Sequence, residues 1–240
     1  MIEGFKKWKH QQDFNPGLFG LFINPFFIAR SGLWKNINVL SSMLSGDLLD
    51  VGCGRKPYKA LFAVNKYIGL DIDNPGHSHA GEEVDVYYDG KTFPFDTNSF
   101  DSALCNQVLE HVFNPDEFLS EIHRVLKPGG KLLLTVPFAW DEHEQPYDYA
   151  RYSSFGLRHL MEKNGFVIEK SIKSVNDSRA IAQLWNTFIY KKTVTKSGIF
   201  NIFITAILMA PVTLLSSITW PLFGKSRDFY LDNIILAVKK

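Results

Sequence analysis

The sequence lacks an excess of charge of either sign: 26 Lys and Arg stand against 25 Asp and Glu, a net charge of +1. That balance excludes a long-range basic field, and no local basic motif replaces it, so nucleic acid is not expected as a partner. Cysteine is scarce as well. Only Cys53 and Cys105 occur, both in expected sheet segments where they read as small reduced thiols, which excludes a disulfide framework. Repeats and low-complexity tracts are absent. The N-terminus has no unbroken apolar run of the secretory kind, with Glu3 early and polar residues through Asp13, so a cytoplasmic location is expected. A metal cage is not expected either: His77, His79, Glu82 and Glu83 read as an exposed polar connection.

What is present suits one α/β domain with an appendage, the size that 240 residues can fill around a single core. Phenylalanine, 20 residues in all, is enriched at roughly 5–27 and 188–229. Residues 1–45 mix aromatics with Lys6, Lys7, Lys9, Arg30 and Lys35 and are broken at Asn15-Pro16-Gly17 and Asn24-Pro25. They predict short helices forming a lid or attachment segment. From Asp47 the texture changes to short apolar runs ending in Gly-rich or polar turns. Strands are predicted at Leu48–Val51, Tyr67–Leu70, Val84–Tyr88, Ser102–Cys105, Lys131–Val136, Phe166–Ile172 and Asn233–Val238, in a mainly parallel sheet.

Two helices are marked by their ends. Asn114-Pro115-Asp116-Glu117 predicts an N-cap, a proline at the first helical position and a capping-box acid. Phe118, Leu119, Ile122, Val125 and Leu126 follow on one face, and Lys127-Pro128-Gly129-Gly130 stops the helix. A second helix is predicted at about Ser154–Lys163, ending at Asn164-Gly165.

Chemistry enters at Asp50-Val51-Gly52-Cys53-Gly54, the loop after strand one. Gly52 and Gly54 allow backbone to approach a ligand at the strand end, where open α/β sheets bind. A dinucleotide fingerprint requires a further Gly at position 57, and Pro57 stands there, which disfavours pyrophosphate and a nucleotide-dependent oxidoreductase. Asp71, with Ile72 beside it at the end of strand two, is placed to accept both hydroxyls of a ribose. Glycine loop and acid together indicate an adenosine ligand.

In order, Leu48–Gly54, Tyr67–Asp73, Asp89–Asp101 and Leu126–Pro137 resemble the class I S-adenosylmethionine-dependent methyltransferases, in particular the group with ubiquinone-biosynthesis-type enzymes. The resemblance covers roughly residues 46–172 and more loosely 229–239. It implies S-adenosylmethionine as cofactor and a Rossmann-like α/β fold, with a seven-stranded sheet whose last strand is antiparallel. It also implies Asp89 at the adenine amino group and Asn106 and Gln107 at the methionine end. His111, next in the chain, is expected to line the cofactor or serve structure. The implied cofactor set is Asp50, Gly52, Cys53, Gly54, Asp71, Ile72, Asp89, Asn106, Gln107 and His111. Two departures bear on cofactor grip: Lys56 stands where many members have another Gly, and the connection between strands two and three is short.

Methyl transfer is an in-line displacement, so the enzyme positions an acceptor and, for an alcohol, removes its proton. Residues 137–152 crowd titratable and aromatic groups at the end of strand five. Within them His143 is the expected general base, Arg151 a clamp for an anionic substrate group and Tyr147 a further catalytic residue. The plainer alternative is a solvated loop whose tyrosines pack the next helix.

Ile199–Phe223 contains no charged residue and lies in an apolar insertion at about 190–227, between Lys191, Lys192 and Lys196 and the following Lys225 and Arg227. Its length would cross a bilayer, but a closing strand at Asn233–Val238 must return to the same sheet, so a single crossing is excluded. Pro211 predicts a bent helical hairpin lying on a membrane surface. A lid or a homodimer interface is the other expectation. The functional reading is methyl transfer, at oxygen, to a small-molecule or lipid-linked acceptor near a membrane. The alternative is a catalytically silent adenosylmethionine-binding subunit that scaffolds or regulates a membrane-associated partner.

Overall fold

The computed structural model describes residues 2–73 and 83–240; His77, His79 and Glu82 lie outside them. Seven strands form one sheet: β1 (Asp47–Val51), β2 (Lys66–Ile72), β3 (Val86–Tyr88), β4 (Phe100–Asn106), β5 (Leu126–Pro137), β6 (Phe166–Ser174) and β7 (Asp232–Lys239). Their order is β3-β2-β1-β4-β5-β7-β6. β1 lies parallel between β2 and β4, and β5 runs parallel to β4. The expected Rossmann-like arrangement is present, with its antiparallel closing strand. Because β1 and β4 are both interior, their side chains are apolar on both faces. Leu48, Leu49, Val51, Ala103, Leu104 and Cys105 are all buried, as a strand covered on both sides requires.

The strands exceed their predicted lengths by one to several residues, with β3 the exception. Asp85 turns its carboxylate onto the Gly69 N–H at 2.6 Å, and β3 starts only at Val86. β5 starts early, at Leu126, since Lys127-Pro128-Gly129-Gly130 forms an irregularity within the strand, where the register with β4 shifts between Phe100 and Ser102.

Two compact units make up the chain. One comprises Ile37–Phe138, Glu142–Ile172 and Asn233–Lys240. It holds the sheet core, α4 (Pro115–Val125) and α5 (Ser154–Lys163). Phe118, Leu119, Ile122 and Val125 of α4 are at most 6% exposed, and burial of each stabilises by roughly 1.5–3 kcal/mol as an upper figure. The expected capping box is not formed. Asn114 makes no side-chain bond to the backbone of α4; its amide instead reaches Glu117 at 3.4 Å. Proline at the first position and two acids in the first turn remain to favour the start.

The other unit comprises residues up to Asn36, Ala139–Asp141 and Lys173–Asp232. It carries α1 (Ile2–Phe14), α2 (Gly20–Ile23), most of α3 (Phe27–Ser41), α6 (Ser178–Thr193) and α7 (Gly198–Phe223). Gln183 of α6 ties this unit together, accepting from the Ile28 and Ala29 N–H groups at 3.1 and 3.2 Å. In place of the expected hairpin, α7 is one continuous helix of 26 residues. Pro211 is accommodated without a break because a π-helical turn, Thr205–Met209, directly precedes it, absorbing the lost N–H and the ring clash. Thr205, Met209, Ala210 and Thr213 form its buried stripe, with Asn186 of α6 donating to the Thr213 hydroxyl at 2.9 Å.

Candidate active site

The carboxyl ends of β1, β2, β4 and β5 carry the residues singled out in the sequence. Gly52 and Gly54 both adopt left-handed backbone, with φ +70° and +47°. Their surroundings differ. A Cβ on Gly52 would collide with the Val108 side chain, whereas one on Gly54 would meet nothing within 4 Å. Gly52 is therefore required by packing, and Gly54 supplies the open side of the loop. Gly54 N–H donates to Asp71 Oδ2 at 2.8 Å and Ile72 N–H to Asp71 Oδ1 at 2.8 Å. These bonds fix the Asp71 carboxylate at the loop, at the strand end where open α/β sheets bind their ligands.

Asp50 points beneath the loop. It is 4% exposed and accepts from the Tyr67 hydroxyl at 2.6 Å. Burial pushes its carboxyl up to about 7; the Tyr67 bond opposes this and the neighbouring Asp71 charge adds to it. Asp50 thus supports the loop from a buried position through Tyr67. Cys53 is also buried, and burial with the charges of Asp50 and Asp71 holds it as a thiol.

Lys56 explains its own departure from the family pattern. It occupies left-handed backbone at φ +48°, where glycine is the least strained choice. The side chain, 3% exposed, pairs with Asp85 at 2.6 Å. It passes over Gly69, where a Cβ would run into Lys56 and lie 2.6 Å from Cys53 Sγ. Lys56, Gly69 and Asp85 thereby pin the cofactor loop to β2 and to the start of β3. Burial raises the Asp85 carboxyl, but the Gly69 N–H and Lys56 outweigh it and hold the group below its ordinary value.

Asp89 is exposed just past β3 and accepts from the Lys91 and Thr92 N–H groups at 2.9 and 3.2 Å. These two bonds hold its carboxyl low. Asn106 and Gln107 share one anchor: the buried Thr135 hydroxyl donates to Asn106 at 2.8 Å and accepts from the Gln107 amide at 3.1 Å. Gln107 has φ +55° and bonds Thr135 a second time through its backbone N–H at 3.0 Å.

On the acceptor side, Asp148 organises the loop after β5. Its carboxylate, 4% exposed, accepts the His143 backbone N–H at 2.9 Å and lies 3.3 Å from His143 Nδ1. Arg151 donates to both its oxygens, at 2.5 and 2.6 Å. Burial works against ionisation, yet Arg151 and the His143 N–H hold Asp148 down at about 2. The Arg151 fork thus engages Asp148, where the sequence suggested a clamp for an incoming anion. Tyr147 contributes through its backbone: its carbonyl accepts from His111 Nδ1 at 2.9 Å. His111 packs edge to face on His143 with ring centres 4.8 Å apart, which joins it to the acceptor loop. Sequence reasoning missed Tyr67, Asp85, Thr135 and Asp148. Each is an ordinary polar residue whose partner lies 15 or more positions away, Asp148 excepted, so spacing carried no signal.

A group with an adenosine and a charged amino acid end fits these residues: an open glycine loop, an acid at the next strand end and paired amides beyond β4. Residues 49–134 match the family described as methyltransferase domain. A probable S-adenosylmethionine-dependent methyltransferase of Mycolicibacterium smegmatis is 30% identical over 138 residues, covering 52% of this chain and 54% of that protein. A fatty-acid O-methyltransferase of the same organism is 38% identical over 100 residues, covering 37% and 36%. The chain spans about half the length, or less, of the curated relatives it matches. Among solved structures, phosphoethanolamine N-methyltransferase 2 of Haemonchus contortus in complex with S-adenosyl-L-methionine is similar at TM-score 0.54 and 17% identity, covering 96% of this chain and 59% of that one. The [4+2]-cyclase SpnF is similar at TM-score 0.56 and 23% identity, covering 88% and 82%. At these identities the two structures speak for the fold alone. The family match lies on the glycine loop, Asp71 and the end of β4, so residues 49–134 carry a methyltransferase domain of the class I kind, whose cofactor is S-adenosylmethionine.

Proposed function

We propose that the chain transfers a methyl group to the oxygen of a small or lipid-linked acceptor, working on the cytoplasmic face of a membrane. S-adenosylmethionine, when bound, supplies a methyl group on a sulfonium, which an oxygen can attack in line. Gly54, Asp71, Asp89, Asn106 and Gln107 are the residues assigned to hold it. An alcohol is a poor nucleophile until its proton leaves. The observation that carries the oxygen assignment is Asp148 beside His143, its carboxylate 3.3 Å from Nδ1: a carboxylate there stabilises the imidazolium that forms when the ring takes a proton. Arg151 keeps Asp148 ionised and in place.

The membrane part of the reading rests on α7. Ile199, Phe203, Leu215, Ile218, Leu222 and Phe223 are each more than 60% exposed, in a helix with no charged residue. An exposed apolar face of this size marks a lipid or protein contact. β7 belongs to the sheet, so α7 lies along the surface instead of crossing, with Lys192, Lys196, Lys225 and Arg227 at its ends to meet anionic headgroups.

Incubation of the protein with methyl-labelled S-adenosylmethionine and membrane extracts tests the activity. Label in a base-stable ether or an ester of an extracted lipid or small alcohol is the expected result. Label on nitrogen or carbon would overturn the oxygen assignment. Cofactor binding with no transfer to any fraction would favour a silent scaffolding subunit instead.

A further inference from the structure

A cluster of imidazoles and carboxylates at the carboxyl ends of β4 and β5 goes beyond methyl transfer. Glu110 lies in the short turn Leu109–His111 after β4 and is 0% exposed. Its backbone carbonyl accepts from the Tyr149 and Ala150 N–H groups at 2.8 and 3.2 Å, which fastens this turn to the acceptor loop. One donor atom from each of Glu110, His111 and His143 lies within 4.8 Å of the other two. Glu144 adds a carboxylate oxygen 3.7 Å from His111 Nε2.

The proton on His111 can be placed. Its Nδ1 is 2.9 Å from the Tyr147 carbonyl, and a carbonyl only accepts, so Nδ1 donates there and Nε2 is the nitrogen on the other side of the ring. Nε2 is turned toward Glu110 Oε1 at 3.9 Å and Glu144 Oε2 at 3.7 Å. Two carboxylate oxygens beside a ring nitrogen favour a positive charge among them, an Nε2 proton or a bound ion. A proton on Nε2 fits poorly, because both separations exceed the roughly 3.2 Å limit of a hydrogen bond. A tetrahedral ion with donor atoms about 2.0–2.2 Å away sets them roughly 3.3–3.6 Å apart. The 3.7 and 3.9 Å separations lie just outside that range, and the widest spacing in the set, up to 4.8 Å, asks side chains to close by about one ångström.

Both histidines also have the outer partner that a metal ligand needs. His111 is fixed by the Tyr147 carbonyl, and His143 has the Asp148 carboxylate 3.3 Å behind its Nδ1. A carbonyl or carboxylate on the far ring nitrogen orients the near one toward an ion. Arg151 Nη2 also lies 3.3 Å from the His143 Nδ1 and can only donate, so ligation through Nε2 requires the Nδ1 hydrogen to turn to Asp148 in place of that contact.

We propose that Glu110, His111 and His143, with Glu144 beside them, form a binding site for one divalent transition-metal ion. Two imidazoles with carboxylate suit zinc, manganese or cobalt better than magnesium, which prefers oxygen ligands and retains its waters. Three protein ligands leave a position open to water or to an acceptor hydroxyl. A hydroxyl bound there keeps its electron pair on the metal–oxygen bond and loses its proton to water more readily. With the ion bound, His143 acts as a ligand, and the removal of the acceptor proton assigned to it above passes to solvent.

The test uses the full chain without a histidine tag, stripped with chelator and titrated with Zn2+ by calorimetry and with Co2+ by visible absorption. One ion per chain is expected, with the d–d bands of an imidazole-ligated Co2+. His111→Ala and His143→Ala are each expected to weaken Zn2+ binding by 30-fold or more. Glu110→Gln is a third variant, used only if its melting transition remains cooperative, since that side chain is buried. Absence of saturable binding by the parent protein overturns the site, as does undiminished binding by both histidine variants. S-adenosylmethionine titrated in parallel separates the two readings: cofactor binding without Zn2+ binding removes only the metal site, and Zn2+ binding lost in the variants upholds the site whether or not cofactor binds.

Discussion

Lys56 and Asp85 meet at 2.6 Å beneath the cofactor loop, the lysine side chain 3% exposed and the aspartate 46%. The asymmetry makes their removal unequal. Asp85→Ala leaves a buried ammonium without its charge partner and strips the Gly69 N–H of its acceptor, and is expected to cost about 1–3 kcal/mol. Lys56→Met retains the apolar stem and leaves a half-exposed carboxylate to water, at a cost of about 1 kcal/mol or less. Chemical denaturation of the two variants checks the order; a Lys56→Met loss larger than that of Asp85→Ala would show the pair is not what pins the loop.

Gly69→Ala places a methyl group against Lys56 and within 2.6 Å of Cys53 Sγ. Overpacking of this kind costs about 1–3 kcal/mol, and adenosylmethionine affinity should fall with it. Adding Lys56→Ala relieves only the first clash. The double variant is therefore expected to recover part of the melting temperature, and full recovery would clear Cys53 of any part.

His143→Gln is expected to lower turnover about 100-fold, with adenosylmethionine affinity changed less than twofold. Asp148→Asn preserves shape but removes the charge behind the ring, and a loss of at least tenfold in turnover is expected. Single-turnover kinetics with calorimetry on the same samples read both quantities. Turnover unchanged in either variant sinks the acceptor-side assignment.

Asp50 sets a pH dependence of stability. Its folded pKa of about 7 lies above the value of about 3.9 in an unfolded chain. Between these values the folded state binds more protons, so stability falls as pH rises, by at most about 1.4 kcal/mol per unit. Asp50→Asn keeps an acceptor for Tyr67 and has no such charge to bury. Its melting temperature should vary less than that of the parent between pH 5 and 8, and exceed it at pH 8.

Ile207 and Ile218 are exposed on α7, at 53% and 67%. Replacing both by Asp should leave the melting temperature nearly unchanged and reduce flotation with phosphatidylethanolamine–phosphatidylglycerol vesicles at least tenfold. A parent protein that fails to float in low salt would remove the membrane reading.

The sheet was legible because β1, β4 and β5 each carry a short apolar run, Leu48-Leu49, Ala103–Cys105 and Leu132–Leu134, bounded by polar or glycine-containing turns, and α4 and α5 because their ends carry cap and stop residues. The hairpin expectation for α7 failed for a reason no propensity reveals: a π turn costs one residue of register and lets Pro211 sit inside a continuous helix. At the site, Gly54 and Asp71 were readable from position along the strands. The parts that were not readable act at a distance in sequence. Tyr67 supports Asp50, Thr135 anchors Asn106 and Gln107, and Glu110 and His111 reach the acceptor loop only once β4 and β5 lie side by side. Arg151, expected to meet an incoming anion, directs Nη1 and Nη2 to Asp148, three positions before it, a pairing that its charge alone does not announce.

The sheet order also fixes a sequence of events at the ribosome. β7 is made after β6, yet it lies between β5 and β6, so β6 emerges with no neighbour to pair with and stays an open edge until β7 arrives. α7 is synthesised in that interval, as chains leave the ribosome N-terminus first. The uncharged helix is therefore complete before the sheet closes. A nascent chain that settles on lipid through α7 would finish its catalytic fold already in place, and loss of residues 232–239 would remove β7 and leave β6 unpaired on that side.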